Sequence, residues 1–286
     1  MATTTAPRYH PAAYPAIDPL RPELSTKGKS VLVTGAGSGI GAEIALAFAK
    51  SGTSHLGLVG RRASALDKTK ATIQASFPGV AVHVVPGNLT DASSITSALQ
   101  TFAAKTPSGK IDVLVANAGA VNTIKPLDEV DPDDFWQTFD VNVRGNFNLL
   151  RAFGPLAAAD AIILNVSSAM AHIPYIPGYA AYQSSKQAAI KIFDHFAIEH
   201  HLRVIHFHPG LQRTEIGDTV EEAGLGVPFD ELDLPGAFAV WAASHEAAFL
   251  DRRLVYAAWD VDDLKAKAQE LRENPNLYTV GLQGFQ

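Results

Sequence analysis

Seven short apolar runs recur along this chain, and most of the intervals between them are long enough to hold a helix. The runs are Val31–Val33, His55–Val59, Ala81–Val85, Val113–Ala116, Ala161–Val166, Val204–Phe207 and Leu254–Ala257. Helix-patterned stretches fill several of the gaps, at Ala42–Lys50, Ser94–Lys105, Asp133–Ala152 and Ala181–His200. Parallel neighbours cannot be joined by a tight turn and need a crossover of helix length, so this alternation predicts an α/β fold. The expected architecture is a doubly wound parallel sheet with helices on both faces. With 286 residues, 47% of them hydrophobic, the chain can bury one large core. No solenoid-period repeat or low-complexity linker divides it, so residues 28–286 read as one domain.

Residues 1–27 differ from the rest. Prolines at 7, 11, 15, 19 and 22 are too many for a helix or a central strand, which predicts an extended arm, loose at its start and strapped to the body through Tyr14, Ile17 and Leu20. A net charge of −6 offers no basic surplus for phosphate backbones, which argues against nucleic acid as a partner. The chain has no cysteine, hence no disulfide and no thiolate metal site, and its ten histidines show no metal-ligand spacing with carboxylates. Its apolar runs are too short to cross a membrane, and a soluble, cytoplasmic protein is expected.

Chemistry is concentrated at a few places. The first run leads into "VTGAGSGIGAEIALAFAK", where Gly35, Gly39 and Gly41 sit at a sharp strand-to-helix turn. Glycines there let backbone approach a pyrophosphate, and the helix N-terminus offers free N–H groups and a positive dipole end. Glycine also marks ordinary turns; the position in the first strand–helix connection is what favours a dinucleotide. The second run ends "LVGRRASAL": Gly60 fills the place where an acid would accept ribose hydroxyls, and Arg61 and Arg62 follow. Arginine there suits a 2′-phosphate, hence NADP(H) over NAD(H), the alternative being two solvated arginines opening a helix. In "GYAAYQSSKQAAI", Tyr182 and Lys186 stand four residues apart and share one helix face. That pair is either a surface tyrosine beside a solvated lysine or a proton-transfer couple, and the stretch alone does not decide.

Six motifs in order resemble the short-chain dehydrogenase/reductase family: "TGAGSGIG", "VANAG" at 115–119, "DVNVRGNF" at 140–147, "NVSS" at 165–168, "YQSSK" at 182–186 and "HPGLQRT" at 208–214. They span about residues 28–257, and the arm and the tail "FLDRRLVYAAWDVDDL" resemble fungal members, which act in secondary metabolism. The resemblance implies a single Rossmann-type domain in a homodimer or homotetramer, paired through the two long helices Asp133–Ala152 and Ala181–His200, where Phe193, Phe196 and Ile190 would supply apolar contact. It implies Tyr182 as catalytic acid/base, Lys186 as its partner, Ser168 on the substrate oxygen, and Asn142 as the residue that bends its helix and holds a relay water. It further implies cofactor contacts at Gly35, Ser38, Gly39, Ile40, Arg61, Arg62, Asn88, Leu89, Asn117, Gly119, Tyr182, Lys186 and Thr214. Tyr179 is then a pocket or packing residue.

The roles implied for Tyr182 and Lys186 make chemical sense. A free tyrosine, with a pKa of about 10, is a poor base near neutrality, and a nearby ammonium together with an oxidised nicotinamide would lower it. Asn88 departs from the aspartate more usual in the family, although an amide can still hydrogen-bond adenine. "AMAHIPYIPGYAA" suggests an apolar wall, with His172 a packing or rim residue, the alternative being a substrate contact, and His206 and His208 structural. Residues 215–235 read as a lid carrying Val220, Leu225, Val227 and Phe229. The expected activity is NADP(H)-dependent interconversion of a ketone and a secondary alcohol on a hydrophobic small molecule. The alternatives are an NAD-dependent alcohol dehydrogenase of the same family and a non-catalytic dinucleotide sensor.

Overall fold

The computed structural model describes residues 6–222, 224 and 226–281. Seven parallel strands form one sheet: β1 (Ser30–Thr34), β2 (His55–Gly60), β3 (Ala81–Pro86), β4 (Ile111–Ala116), β5 (Ala157–Val166), β6 (Arg203–His208) and β7 (Leu254–Tyr256). Their order is β3-β2-β1-β4-β5-β6-β7, so the chain winds outward from β1 in one direction, returns, and winds outward from β4 in the other. The crevice beyond the carboxyl ends of β1 and β4 is where such a sheet receives a ligand.

Helices cover both faces because buried parallel strands are apolar on both sides. One face is closed by α1 (Gly39–Lys50), α2 (Ala63–Ser76) and α8 (Asp233–Ala242), with Ile44, Phe48, Leu66, Phe238 and Trp241 in its core. The other is closed by α3 (Ala92–Ala103), α5 (Gly145–Phe153) and α6 (Ala180–His200), through Leu99, Phe102, Phe153 and Phe193. No described helix is long and apolar enough to cross a membrane.

β5 begins at Ala157, four residues before the expected start, and two expected segments are divided. The predicted helix 133–152 is three pieces: α4 (Pro132–Phe139), a π-helical turn at Asp140–Arg144, and α5. The widened turn carries Asn142, whose side chain is bonded to the Ala120 backbone and the Ser185 side chain. π-turns of this kind mark places where one residue is re-aimed. The segment 215–235, read as a lid, holds parts of two helices. α7 (Glu215–Glu222) opens it, and its end already belongs to α8, whose Leu234 and Pro235 are buried. Leu225 lies outside the described residues, as do residues 1–5 at the start of the arm.

The arm follows the body over most of its length. The Tyr14 hydroxyl donates to the Trp259 carbonyl (3.0 Å) and accepts from the Val261 N–H (2.8 Å), and Ile17 and Leu24 are buried in the first core. Leu20, expected to strap the arm down, is instead 64% exposed. Asp18 turns the chain there by accepting from the Leu20 N–H at 3.1 Å, which throws the leucine outward. A second expectation, apolar pairing of the two long helices through Phe193, Phe196 and Ile190, fails for two of the three, Phe196 being half-buried. Ile190 and Phe193 are 2% and 0% exposed in the chain itself, because α6 presents them to the sheet. The apolar side chains on the outer surface of this helix pair are Phe147 and Ile198, 47% and 53% exposed.

Candidate active site

The site begins at the end of β5 and the start of α6. Ser168 leaves β5 and caps a 3-10 turn, its Oγ accepting from the Met170 N–H at 3.2 Å. That contact uses a lone pair and leaves the hydroxyl proton free to donate. Tyr179 precedes the first turn of α6, so Tyr182 falls in that turn and Lys186 one turn further on the same face. Both side chains point inward, Tyr182 and Lys186 being 7% exposed each. The Lys186 Nζ donates to the Val166 carbonyl at 3.1 Å and lies 5.6 Å from the centre of the Tyr182 ring.

Burial governs both groups. It pushes the Tyr182 phenol up to about 12, against a hydrogen bond with Ser168 that lowers it, and draws the Lys186 ammonium down to about 8. Attraction between a phenolate and an ammonium would move the two in the opposite senses, so in the protein alone desolvation wins.

Asn142 is 1% exposed and spans two elements. Its Oδ1 accepts from the Ala120 N–H (2.8 Å), and its Nδ2 donates to the Ala120 carbonyl (2.8 Å) and to Ser185 Oγ (3.0 Å). Ser185 Oγ donates in turn to the Tyr182 carbonyl at 2.9 Å. The Asn142 carbonyl accepts from Asn146 Nδ2 at 2.7 Å. Ser185 and Asn146 were not singled out in the sequence, although each is set at helical spacing, three residues after Tyr182 and four after Asn142.

A dinucleotide fits the opposite half of the crevice. Gly35 and Gly39 have positive φ (67° and 51°), and a Cβ at Gly41 would lie 2.3 Å from the Gly35 carbonyl oxygen and 2.4 Å from Asn117 Nδ2. Only glycine permits that approach of loop and helix. Ser38 precedes α1 without a side-chain cap, leaving the first N–H groups, at Gly39 and Ile40 among them, available to an anion. Asn117 Nδ2 donates to the Thr34 carbonyl at 3.0 Å, tying the β4 loop to the β1 loop. A Cβ at Gly119 would lie 3.4 Å from Asn142 Oδ1 and 3.5 Å from Lys186 Nζ, so the backbone passes directly over the catalytic candidates. Across the crevice, a Cβ at Gly39 would lie 3.0 Å from Thr214 Cγ2.

Arg61 and Arg62 are exposed at the entrance to α2, with no carboxylate within 4.0 Å among the described residues. Asn88 Oδ1 accepts from Thr90 N (3.2 Å) and Thr90 Oγ1 (3.0 Å), which leaves its Nδ2 as the group free for another partner. Leu89 is a core residue, 6% exposed, whose carbonyl accepts from Asn148 Nδ2.

An apolar patch surrounds Tyr182. Met170 and Tyr179 are buried with it, and Ile124, Ile173 and Ile176 pack alongside together with Ile216 of α7. The Tyr179 hydroxyl donates to the Thr219 carbonyl at 3.2 Å, so this ring packs and holds α7. His172 Nε2 is paired with the Tyr256 hydroxyl at 2.8 Å. His206 lies between Asp194 and Asn165, at 3.0 Å from each, and serves the core. His208 stands edge-on to Tyr256, and burial lowers it to about 4, so it is neutral. Among the described residues, no group of three or more His, Cys, Asp or Glu side chains is arranged to hold a metal ion.

Comparison with known proteins points one way. Residues 29–224 match a family model described as short chain dehydrogenase. A short chain dehydrogenase/reductase of Claviceps purpurea is 36% identical over 279 residues, covering 96% of this chain and 92% of that protein. The short chain dehydrogenase/reductase nsrO of Aspergillus novofumigatus is 34% identical, over 90% and 89% of the two chains. Among solved structures, a 7α-hydroxysteroid dehydrogenase complexed with NADH and 7-oxo glycochenodeoxycholic acid superposes with a TM-score of 0.73 at 25% identity, covering 86% of this chain and 97% of that one.

Proposed function

We propose that this chain, which belongs to the short chain dehydrogenase family and so is a nicotinamide-dependent oxidoreductase, interconverts a ketone and a secondary alcohol on a hydrophobic small molecule. The observation that carries this reading is the burial of Tyr182, Lys186 and Ser168 together beneath an apolar patch. When bound, the nicotinamide supplies or accepts the hydride. Tyr182 gives its proton to the carbonyl oxygen in reduction and takes it back in oxidation. Ser168 donates to the same oxygen and stabilises the developing alkoxide. Lys186 holds positive charge beside the phenol and would hold the cofactor's ribose hydroxyls. The Asn142 and Ser185 bonds fix the helix that carries both. The apolar side chains exclude water and select a hydrophobic substrate.

For the cofactor, NADP(H) is the preferred partner and Arg61 its phosphate ligand, with Arg62 beside it. No acid stands at Gly60 to accept ribose hydroxyls, and an unpaired guanidinium can bind two phosphate oxygens at once. The NADH bound to the 7α-hydroxysteroid dehydrogenase supports the second reading, an NAD(H) enzyme. Chains of this family are typically oligomeric, and self-association across α5 and α6 is part of the proposal, led by Phe147 and Ile198 in place of Ile190 and Phe193.

Three outcomes follow. Tyr182→Phe keeps the ring and the packing, so NADPH affinity measured by fluorescence should hold while kcat falls by about 10²–10⁴-fold or more; turnover near the parent rate contradicts the mechanism. The parent protein should bind NADPH much more tightly than NADH, and Arg61→Ala should erode that preference. Equal dissociation constants in the parent exclude the phosphate role. Sedimentation should show a dimer or larger species at micromolar concentration that Phe147→Asp dissociates, and a monomeric parent would overturn the pairing.

A further inference from the structure

The segment that covers Tyr182 leaves the body after Leu211 and rejoins it at Asp230, and the two ends are joined to each other. The Asp230 N–H donates to the Leu211 carbonyl (2.6 Å), and the Leu211 N–H donates back to Asp230 Oδ2 (2.9 Å). Asp230 is 8% exposed, and its carboxylate sits so close to Gly210 (φ 94°) that a Cβ there would lie 2.5 Å from Oδ2. Between these ends the segment carries Thr214 against Gly39 and Ile216 against the Tyr182 patch.

The second oxygen of that carboxylate is taken by the arm, for the Tyr9 hydroxyl donates to Asp230 Oδ1. Two more arm residues engage the same stretch. The Pro11 carbonyl accepts from the Glu231 N–H at 2.7 Å, and the Ala13 N–H donates to Asp233 Oδ1 at 3.2 Å. The arm is itself anchored on the far side. Arg8 Nη2 meets Asp260 Oδ1 at 2.9 Å and Asp263 Oδ1 at 3.0 Å, and the His10 N–H donates to the Ala258 carbonyl at 2.7 Å. We infer that the amino-terminal arm is a clasp on the neck of the lid, with Tyr9 a positioning residue that acts through Asp230 to hold the covering segment closed over Tyr182 and the cofactor crevice. In so far as the lid retains a nucleotide, the inference rests on the reading of the crevice given under Proposed function.

The test compares the full-length parent with Tyr9→Phe, using Leu20→Ser, an exposed site on the same arm, as control. A hydrogen bond to a carboxylate is worth enough that amide hydrogen exchange in α7, measured without any ligand, should rise about tenfold in Tyr9→Phe. Exchange in β1 and β4 should stay unchanged, which separates opening of the lid from general destabilisation. NADPH should dissociate faster from Tyr9→Phe by a similar factor, with Leu20→Ser behaving like the parent. Exchange in α7 within about twofold of the parent, or an equal rise in Leu20→Ser, overturns the clasp. A rise confined to α7 with NADPH bound by neither protein would uphold the clasp and count instead against the cofactor reading.

Discussion

Taking a phenol and an ammonium out of water side by side is the constraint around which the rest of this molecule is arranged. Either group alone would be driven toward its neutral form by burial, and both are displaced that way here. The fold tolerates the cost because it supplies the partners that water would have given. The Val166 carbonyl accepts a hydrogen bond from Lys186, and Ser168 meets the phenol of Tyr182. These partners come from the carboxyl end of β5, which explains why a chemical pair on α6 requires the strand beside it to stop where it does. The π-turn at Asp140–Arg144 belongs to the same arrangement, since it lets Asn142 join the Ala120 backbone to Ser185 of α6.

The cofactor half of the crevice depends on a different limit, the closeness of backbones. Gly41 and Asn117 hold the β1 and β4 loops so tightly that no side chain fits between them, and that contact keeps the uncapped start of α1 facing the place where the sheet order reverses. Asn88 shows how a substitution at this end changes the chemistry without changing the shape. Its oxygen closes a turn with Thr90, so the end left free donates, where an aspartate would accept.

Much of this was legible in the sequence because it depends on local pattern. Alternating apolar runs placed the strands, and Tyr182 and Lys186 four apart specified a shared helix face. What escaped was set by distant partners. The break inside 133–152 needs Ala120 and Ser185 to be nearby, which no window around Asn142 reveals. Ile190, Phe193 and Phe196 read alike as apolar contact for a pairing helix, but the helix is turned so that Ile190 and Phe193 face the sheet. Leu20 is apolar and lies within an otherwise anchored arm, yet the Asp18 turn places it outside. Tyr9 and Asp230 lie 221 residues apart, and nothing in either local sequence announces their contact.

The central claim is that burial holds Tyr182 protonated in the free protein and that positive charge brought beside it makes it a usable base. Tyrosine labelled at the ring carbon bonded to the hydroxyl, assigned with Tyr182→Phe, allows the phenol to be titrated directly by NMR. The account predicts that Tyr182 titrates well above the usual tyrosine value in the free protein, near 12, and moves down toward neutrality when oxidised dinucleotide is bound. A Tyr182 that titrates like an exposed tyrosine in the free protein, or one that oxidised dinucleotide leaves unmoved, would contradict it.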